Sequence, residues 1–134
     1  MKRVHHVGIA VADLDAAIKL YTDTLGGRLE RRGRVEGLEF ALIDAGGDEL
    51  ELLAPDDAES AIGKFVKERG PGIHHVAYGV DDIHRELDRL RAAGLEQAGD
   101  VRTGVHGTPI VFLHPKSVGG VLTGFPVFWN VRRV

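Results

Sequence analysis

Gly72-Ile73-His74-His75-Val76-Ala77-Tyr78-Gly79-Val80-Asp81-Asp82 decides the fold, because nearly the same stretch opens the chain: Val4-His5-His6-Val7-Gly8-Ile9-Ala10-Val11-Ala12-Asp13. The two copies align at an offset of 69 residues, with His5 on His74, Val11 on Val80 and Asp13 on Asp82. Read as strands, their period-two alternation puts His6, Gly8 and Ala10 on one face of the first copy, and His75, Ala77 and Gly79 on the matching face of the second. The opposite faces carry Val7, Ile9 and Val11, and Val76, Tyr78 and Val80, bulky side chains suited to packing under a helix. Each copy thus sets one imidazole on a face otherwise lined by very small side chains. That is the composition of a strand beside a cleft.

The segments after the two copies repeat as well. After the first, Asp13 is placed to cap a helix with Leu14, Ala17, Ile18, Tyr21 and Leu25 at helical spacing, stopped by Gly26-Gly27. Strands are predicted at residues 28–35, 38–44 and 49–53, separated by turn signals at Glu36-Gly37 and Ala45-Gly46-Gly47-Asp48. On the last of these Glu49, Glu51 and Leu53 share a face, with Leu50 and Leu52 on the other, and Pro55-Asp56-Asp57 closes the unit. Residues 58–69 read as a linker helix with Ile62, Phe65 and Val66 inward, ended by Gly70-Pro71-Gly72. The second half then gives a strand at 73–80 and a helix at 82–93 with Ile83, Leu87 and Leu90 on one stripe, stopped by Gly94. Next come a short strand near 95–101, a glycine-rich loop at 104–107, a strand at 110–113, a turn at 114–120 and a final strand from Val121.

Each half is therefore βαβββ. A repeat of that size cannot bury its own sheet, so the predicted class is α+β: two βαβββ modules forming a curved, mostly antiparallel eight-stranded sheet around a cleft. The expectation is one domain over 1–134, with module one at about 1–57 and module two at about 73–134. The two first strands are expected at the centre of the cleft, related by a pseudo-twofold axis.

Composition narrows the function. A chain of 134 residues suffices for a real core, and 43% hydrophobic with 28% charged residues is ordinary for a globular protein. A net charge of -3 gives no reason to expect a nucleic acid partner. Neither a membrane-length apolar run nor a signal-peptide pattern is found, so no membrane partner and a cytoplasmic location are expected. The absence of cysteine excludes disulfides, thiolate metal sites and cysteine nucleophiles. The seven histidines are more informative, since folding requires none of them.

Paired βαβββ units with a histidine in each first strand resemble the vicinal oxygen chelate superfamily of glyoxalases, bleomycin-resistance proteins and extradiol dioxygenases. Within it, the methylmalonyl-CoA epimerases are more similar. The residues carrying this are His6-Val7-Gly8-Ile9-Ala10-Val11, Glu51-Leu52-Leu53-Ala54-Pro55, Gly63-Lys64-Phe65, Gly72-Ile73-His74-His75-Val76-Ala77, Gly104-Val105-His106-Gly107 and Phe112-Leu113-His114-Pro115-Lys116-Ser117. The resemblance implies one divalent ion (cobalt, manganese, nickel or zinc) inside the curved sheet, with His6, His75 and Glu51 as ligands. It implies an isomerase that moves the C2 proton of methylmalonyl-CoA through a metal-stabilised enolate. A glyoxalase-like lyase or isomerase, or a non-catalytic small-molecule-sequestering protein, are the alternatives.

The fourth ligand of the family pattern is absent. Where Gly-Gly-Val-Leu-x-Glu-Leu is expected, this chain reads Gly119-Gly120-Val121-Leu122-Thr123-Gly124-Phe125-Pro126, with Gly124 in place of the carboxylate. Activity weaker than that of relatives carrying the Glu is expected, and Gly124→Glu should restore metal affinity if the strand near Pro126 keeps its register. Pro126 predicts an early strand end or an edge position. Glu39 is the candidate second catalytic acid, one residue out of register, and that shift turns it towards solvent. His106 and Lys116 are candidates for holding the acyl-CoA, Lys116 through its phosphates. His5 and His74 fall on the bulky faces and are assigned to structure, and Glu49 to the surface. An apolar tail with Phe128 and Trp129 predicts a homodimer that buries one of them.

Overall fold

The structure is a computed structural model that describes residues 3–35 and 37–127. Glu36 of the first predicted turn, and Phe128 and Trp129 of the expected dimer contact, lie outside the described residues. The chain divides into two compact units, His6–His74, and Met1–His5 together with His75–Val134. The class is α+β, and the order βαβββ occurs twice, as the repeat predicts. No helix among the described residues is long and apolar enough to cross a membrane.

In the first unit β1 (Val4–Ala10), β2 (Arg28–Val35), β3 (Leu38–Ala45) and β4 (Asp48–Pro55) lie in the order β2-β3-β4-β1. β2, β3 and β4 form an antiparallel meander, and β4 returns parallel to β1 with Gly8 opposite Glu51 and Ala10 opposite Leu53. Helix α1 (Leu14–Lys19) starts where Asp13, in extended backbone, accepts the Ala16 N–H at 3.1 Å. Val11, Leu14 and Ala17 pack on Ala41, Ile43, Leu52 and Ala54, with Ile9, Ile18 and Tyr21 flanking them. Leu25 does not join that core, contrary to its spacing. The helix widens into a π-turn over Leu20–Thr24, where the Leu25 N–H donates to the Leu20 carbonyl at 2.9 Å. The extra residue per turn rotates Leu25 off the stripe and leaves it 62% exposed.

Helix α2 (Ala61–Arg69) starts three residues later than its pattern suggests, because Ser60 caps it by accepting the Gly63 N–H at 3.1 Å. Ile62 is buried, while Phe65 and Val66 are only half-buried.

The second unit holds β5 (Gly72–Tyr78) from His75 onward, α3 (Ile83–Ala92), β6 (Gln97–Thr103), β7 (Pro109–Leu113) and β8 (Thr123–Pro126), in the sheet order β5-β8-β7-β6. Asp82 caps α3 by accepting the His84 and Arg85 N–H groups at 3.0 and 3.1 Å. Ile83, Leu87 and Leu90 then pack on Val80, Val111, Leu113, Phe125 and Val127. β6 and β8 each begin two residues later than expected. Nor is β8 an edge strand: it runs between β5 and β7, parallel to the first and antiparallel to the second. Pro126 is the last residue of β8, and the pairing is carried past its missing N–H by Val127, which donates to the Pro109 carbonyl at 3.0 Å. The Pro126 carbonyl still accepts the Val80 N–H at 2.9 Å.

Candidate active site

In the first unit, cross-strand register sets Arg31, Leu42, Glu51 and Gly8 in one row over β2, β3, β4 and β1, and Gly33, Phe40, Leu53 and Ala10 in the next. These rows face away from α1, since Ala41, Ile43 and Leu52 are the residues turned to the helix core. His6 shares the face of Gly8 and Ala10, and their small side chains leave room for its ring. Its Nε2 stands 3.5 Å from Glu51 Oε2, with the two side chains 1% and 6% exposed. An imidazole nitrogen and a carboxylate oxygen withdrawn from water in this way are donors that suit a divalent cation. Without a positive partner a buried carboxylate is costly.

Glu39 lies on the other face of β3, in phase with Ala41 and Ile43 and opposite Ala54 of the α1 core. Its carboxylate is paired with Arg34 and lies 3.9 Å from Arg32, and the side chain is 32% exposed. The one-residue shift therefore takes it away from the His6–Glu51 face, as its phase implies. Glu49, expected at the surface, is half-buried. The His74 ring, assigned to structure, meets Phe65 edge-on at 5.0 Å.

The second unit repeats the small-residue face with a different filling. Ala77, Gly124 and Phe112 form one row across β5, β8 and β7, and His75 lies on the same face, 3% exposed. The Phe112 ring stands edge-on to the His75 imidazole, 5.1 Å between centroids and 86° between planes. It also covers Gly124. A Cβ built there would lie 2.9 and 3.2 Å from Phe112 Cε1 and Cδ1, and 3.3 Å from Ile110 Cδ1. The sequence shows that a carboxylate is missing at 124 but not that a phenyl ring takes its space.

Arg102 completes this stack, its Cζ 5.1 Å from the centre of the Phe112 ring. Sequence reasoning missed it. Gly99, at a φ of 81°, sits in a register break between Ala98 and Arg102, so alternation cannot be counted along β6. His106 is half-buried with its ring 4.8 Å from that of buried His5, at 89°. Lys116 is exposed on a 3-10 turn, Pro115–Val118, where its backbone N–H donates to His114 Nδ1 at 3.3 Å.

Comparison with known proteins bears on these features. The family model described as Glyoxalase/Bleomycin resistance protein/Dioxygenase superfamily matches residues 5–112. An ethylmalonyl-CoA/methylmalonyl-CoA epimerase of Cereibacter sphaeroides is 40% identical over 126 residues, covering 90% of this chain and 93% of the relative. The crystal structure of methylmalonyl-CoA epimerase from Mycobacterium tuberculosis superposes with a TM-score of 0.88 at 39% identity, over 93% of this chain and 87% of that one. A Streptomyces coelicolor methylmalonyl-CoA epimerase variant in complex with 2-nitronate-propionyl-CoA gives a TM-score of 0.90 at 34% identity, over 97% and 99% of the two chains. With identities of this size running nearly end to end, the chain belongs to the glyoxalase/bleomycin resistance protein/dioxygenase superfamily and, within it, to the methylmalonyl-CoA epimerases, which are isomerases.

Proposed function

We propose that this protein moves the C2 proton of methylmalonyl-CoA, with His6, Glu51 and His75 as protein ligands of one divalent ion such as cobalt, manganese, nickel or zinc. The observation that carries the reading is the buried His6–Glu51 pair on a face cleared by Gly8 and Ala10, in a chain 40% identical to an epimerase of this substrate class. Two neutral imidazoles and one carboxylate are a donor set that borderline and hard divalent ions accept while leaving positions open. When bound, such an ion supplies Lewis-acid stabilisation of the negative charge that develops as the C2 proton leaves.

The chain's own residues divide the remaining tasks. Glu51 provides the negative donor, and its burial keeps it from exchanging that role with water. Gly8 and Ala10, with Ala77 and Gly79 on the second copy, keep the faces low enough for an acyl group. His106 is the proposed contact to the acyl-CoA near His5. Lys116, exposed at its turn, is the proposed partner of a phosphate of the coenzyme. Glu39 is engaged by Arg34 and Arg32 on the helix face and is given no part in proton transfer.

Gly124 with Phe112 above it favours a second reading: acyl-CoA binding with slow epimerisation. Loss of one member of an acid/base pair lowers rates by about 10²–10⁴. The deciding experiment is exchange of solvent deuterium into C2 of methylmalonyl-CoA, run on metal-loaded protein and on a His6→Ala variant. Exchange that is slow but abolished by His6→Ala is the expected result. Exchange that is the same in both proteins, or absent from both while the acyl-CoA binds, would sink the epimerase reading.

A further inference from the structure

The proposed ligand set leaves Glu49 without a task. It lies on β4 two residues before Glu51, so alternation turns both carboxylates to the same face. β1 and β4 run parallel with Val7 opposite Leu50 and Gly8 opposite Glu51, and one step back along the ladder brings His6 level with Glu49. Two carboxylates of one strand therefore bracket His6. Its Nε2 stands 3.5 Å from Glu51 Oε2, and a carboxylate oxygen of Glu49 lies within 4.8 Å of a His6 ring nitrogen. Asp44, opposite Glu49 on β3, is engaged elsewhere: it accepts from Arg28 at 3.1 Å and from the Gly47 N–H at 2.8 Å. Glu49 is half-buried beside a histidine that is 1% exposed.

We propose that Glu49 is a positioning residue: its carboxylate accepts the Nδ1–H of His6, fixing the tautomer and plane of the ring so that Nε2 is the nitrogen offered to a metal ion. The inference rests on the use of His6 as a ligand in the epimerase reading and adds the group that holds it. An imidazole binds a cation through the lone pair of one nitrogen while the other carries the proton. With Nε2 on the Glu51 side, the proton falls to Nδ1, and a ring so buried needs its acceptor from the protein.

The small-residue face gives the argument its force. Gly8 and Ala10 leave room for the ring, and for the same reason they do little to stop it turning. The last torsion of histidine is broad and roughly two-fold, so a polar contact has to separate the flipped rings. A carboxylate does this and also raises the basicity of the nitrogen that binds the metal. That gain matters more in a chain where Gly124 offers no donor.

The test is heteronuclear NMR of the histidine ring nitrogens together with calorimetric binding of zinc, on the wild type, Glu49→Ala, Glu49→Gln and Asp44→Asn. The zinc-loaded wild type is expected to show His6 with its proton on Nδ1. Glu49→Ala should lose that signature and bind zinc about 10–100-fold more weakly. Glu49→Gln, whose amide oxygen still accepts the proton, should keep the tautomer and recover most of the affinity. Asp44→Asn removes a charge from the same row and should change neither. If Glu49→Ala does not fold, Glu49→Leu supplies the same comparison. A loss in Glu49→Gln or Asp44→Asn as large as in Glu49→Ala overturns the proposal, because negative charge rather than a hydrogen bond would then be what matters. An unchanged tautomer and affinity in Glu49→Ala overturns it too, as does zinc binding that survives His6→Ala. Glu49-dependent zinc binding in a protein that exchanges no deuterium at C2 sinks the epimerase reading and keeps this inference. Normal exchange with a His6 ring indifferent to Glu49 does the reverse.

Discussion

At Gly124 one residue separates two kinds of site. The register condition for restoring a carboxylate is met, since β7 and β8 pair as far as Ile110 opposite Pro126. The backbone at 124 is also outside the left-handed region, so a side chain is conformationally allowed. The obstacle is Phe112, whose ring edge would lie 2.9 Å from the new Cβ and is itself held against His75. Overpacking of this kind costs about 1–3 kcal/mol. Gly124→Glu alone is therefore expected to lower the thermal midpoint and to leave metal content unimproved, which revises the simple expectation of a gain. Gly124→Glu combined with Phe112→Leu should recover stability relative to the single variant and retain more metal through gel filtration. A single variant as stable as the wild type, with tighter metal binding, would show that Phe112 moves aside freely. What was legible in sequence was the strand face of residues on uninterrupted strands, as for His6, Glu51 and His75. Phe112 was visible only as part of a motif, because which ring covers which glycine depends on cross-strand register.

At the scale of elements, the two helices that back the sheets are started by the same residue type at repeat-equivalent positions. Asp13 satisfies one backbone donor, Ala16, whereas Asp82 satisfies two, His84 and Arg85. Replacement of a capping Asp by Ala costs about 0.5–2 kcal/mol. Asp82→Ala should fall in the upper part of that range and Asp13→Ala in the lower, measured as shifts in urea midpoint at constant slope. An equal or reversed order would mean that packing, not the number of capped donors, sets the cost. These caps and the apolar stripe of α3 were legible because they are local. The π-turn at Leu20–Thr24 was not, since an i to i+5 bond leaves no mark in composition, and it alone removed Leu25 from the expected core. The late start of β8 and its place between β5 and β7 were also hidden. Pro126 argues for an edge by local rules, and only the cross-strand pairing, which Val127 carries past it, shows otherwise.

Across the whole molecule, one plan is carried out twice with unequal chemistry. Each unit packs its bulky strand face on a helix-centred core, and each leaves a histidine among glycine and alanine on the other face. The first keeps a carboxylate beside its histidine; the second has a phenyl ring and an arginine. If one ion draws ligands from both copies, its retention depends on all three residues together. A divalent ion bound at 100 times its dissociation constant stabilises the folded state by about 2.7 kcal/mol. His6→Ala, Glu51→Gln and His75→Ala should then each bring bound metal per chain well below that of the wild type, measured by emission spectrometry after gel filtration. Each should also abolish the drop in thermal midpoint that a chelator causes in the wild type. The informative variant is His75→Ala, because His6 and Glu51 already lie 3.5 Å apart within one unit. If His75→Ala keeps its metal and its chelator sensitivity while His6→Ala loses both, the ion belongs to the first copy alone. The second copy would then contribute no ligand to it.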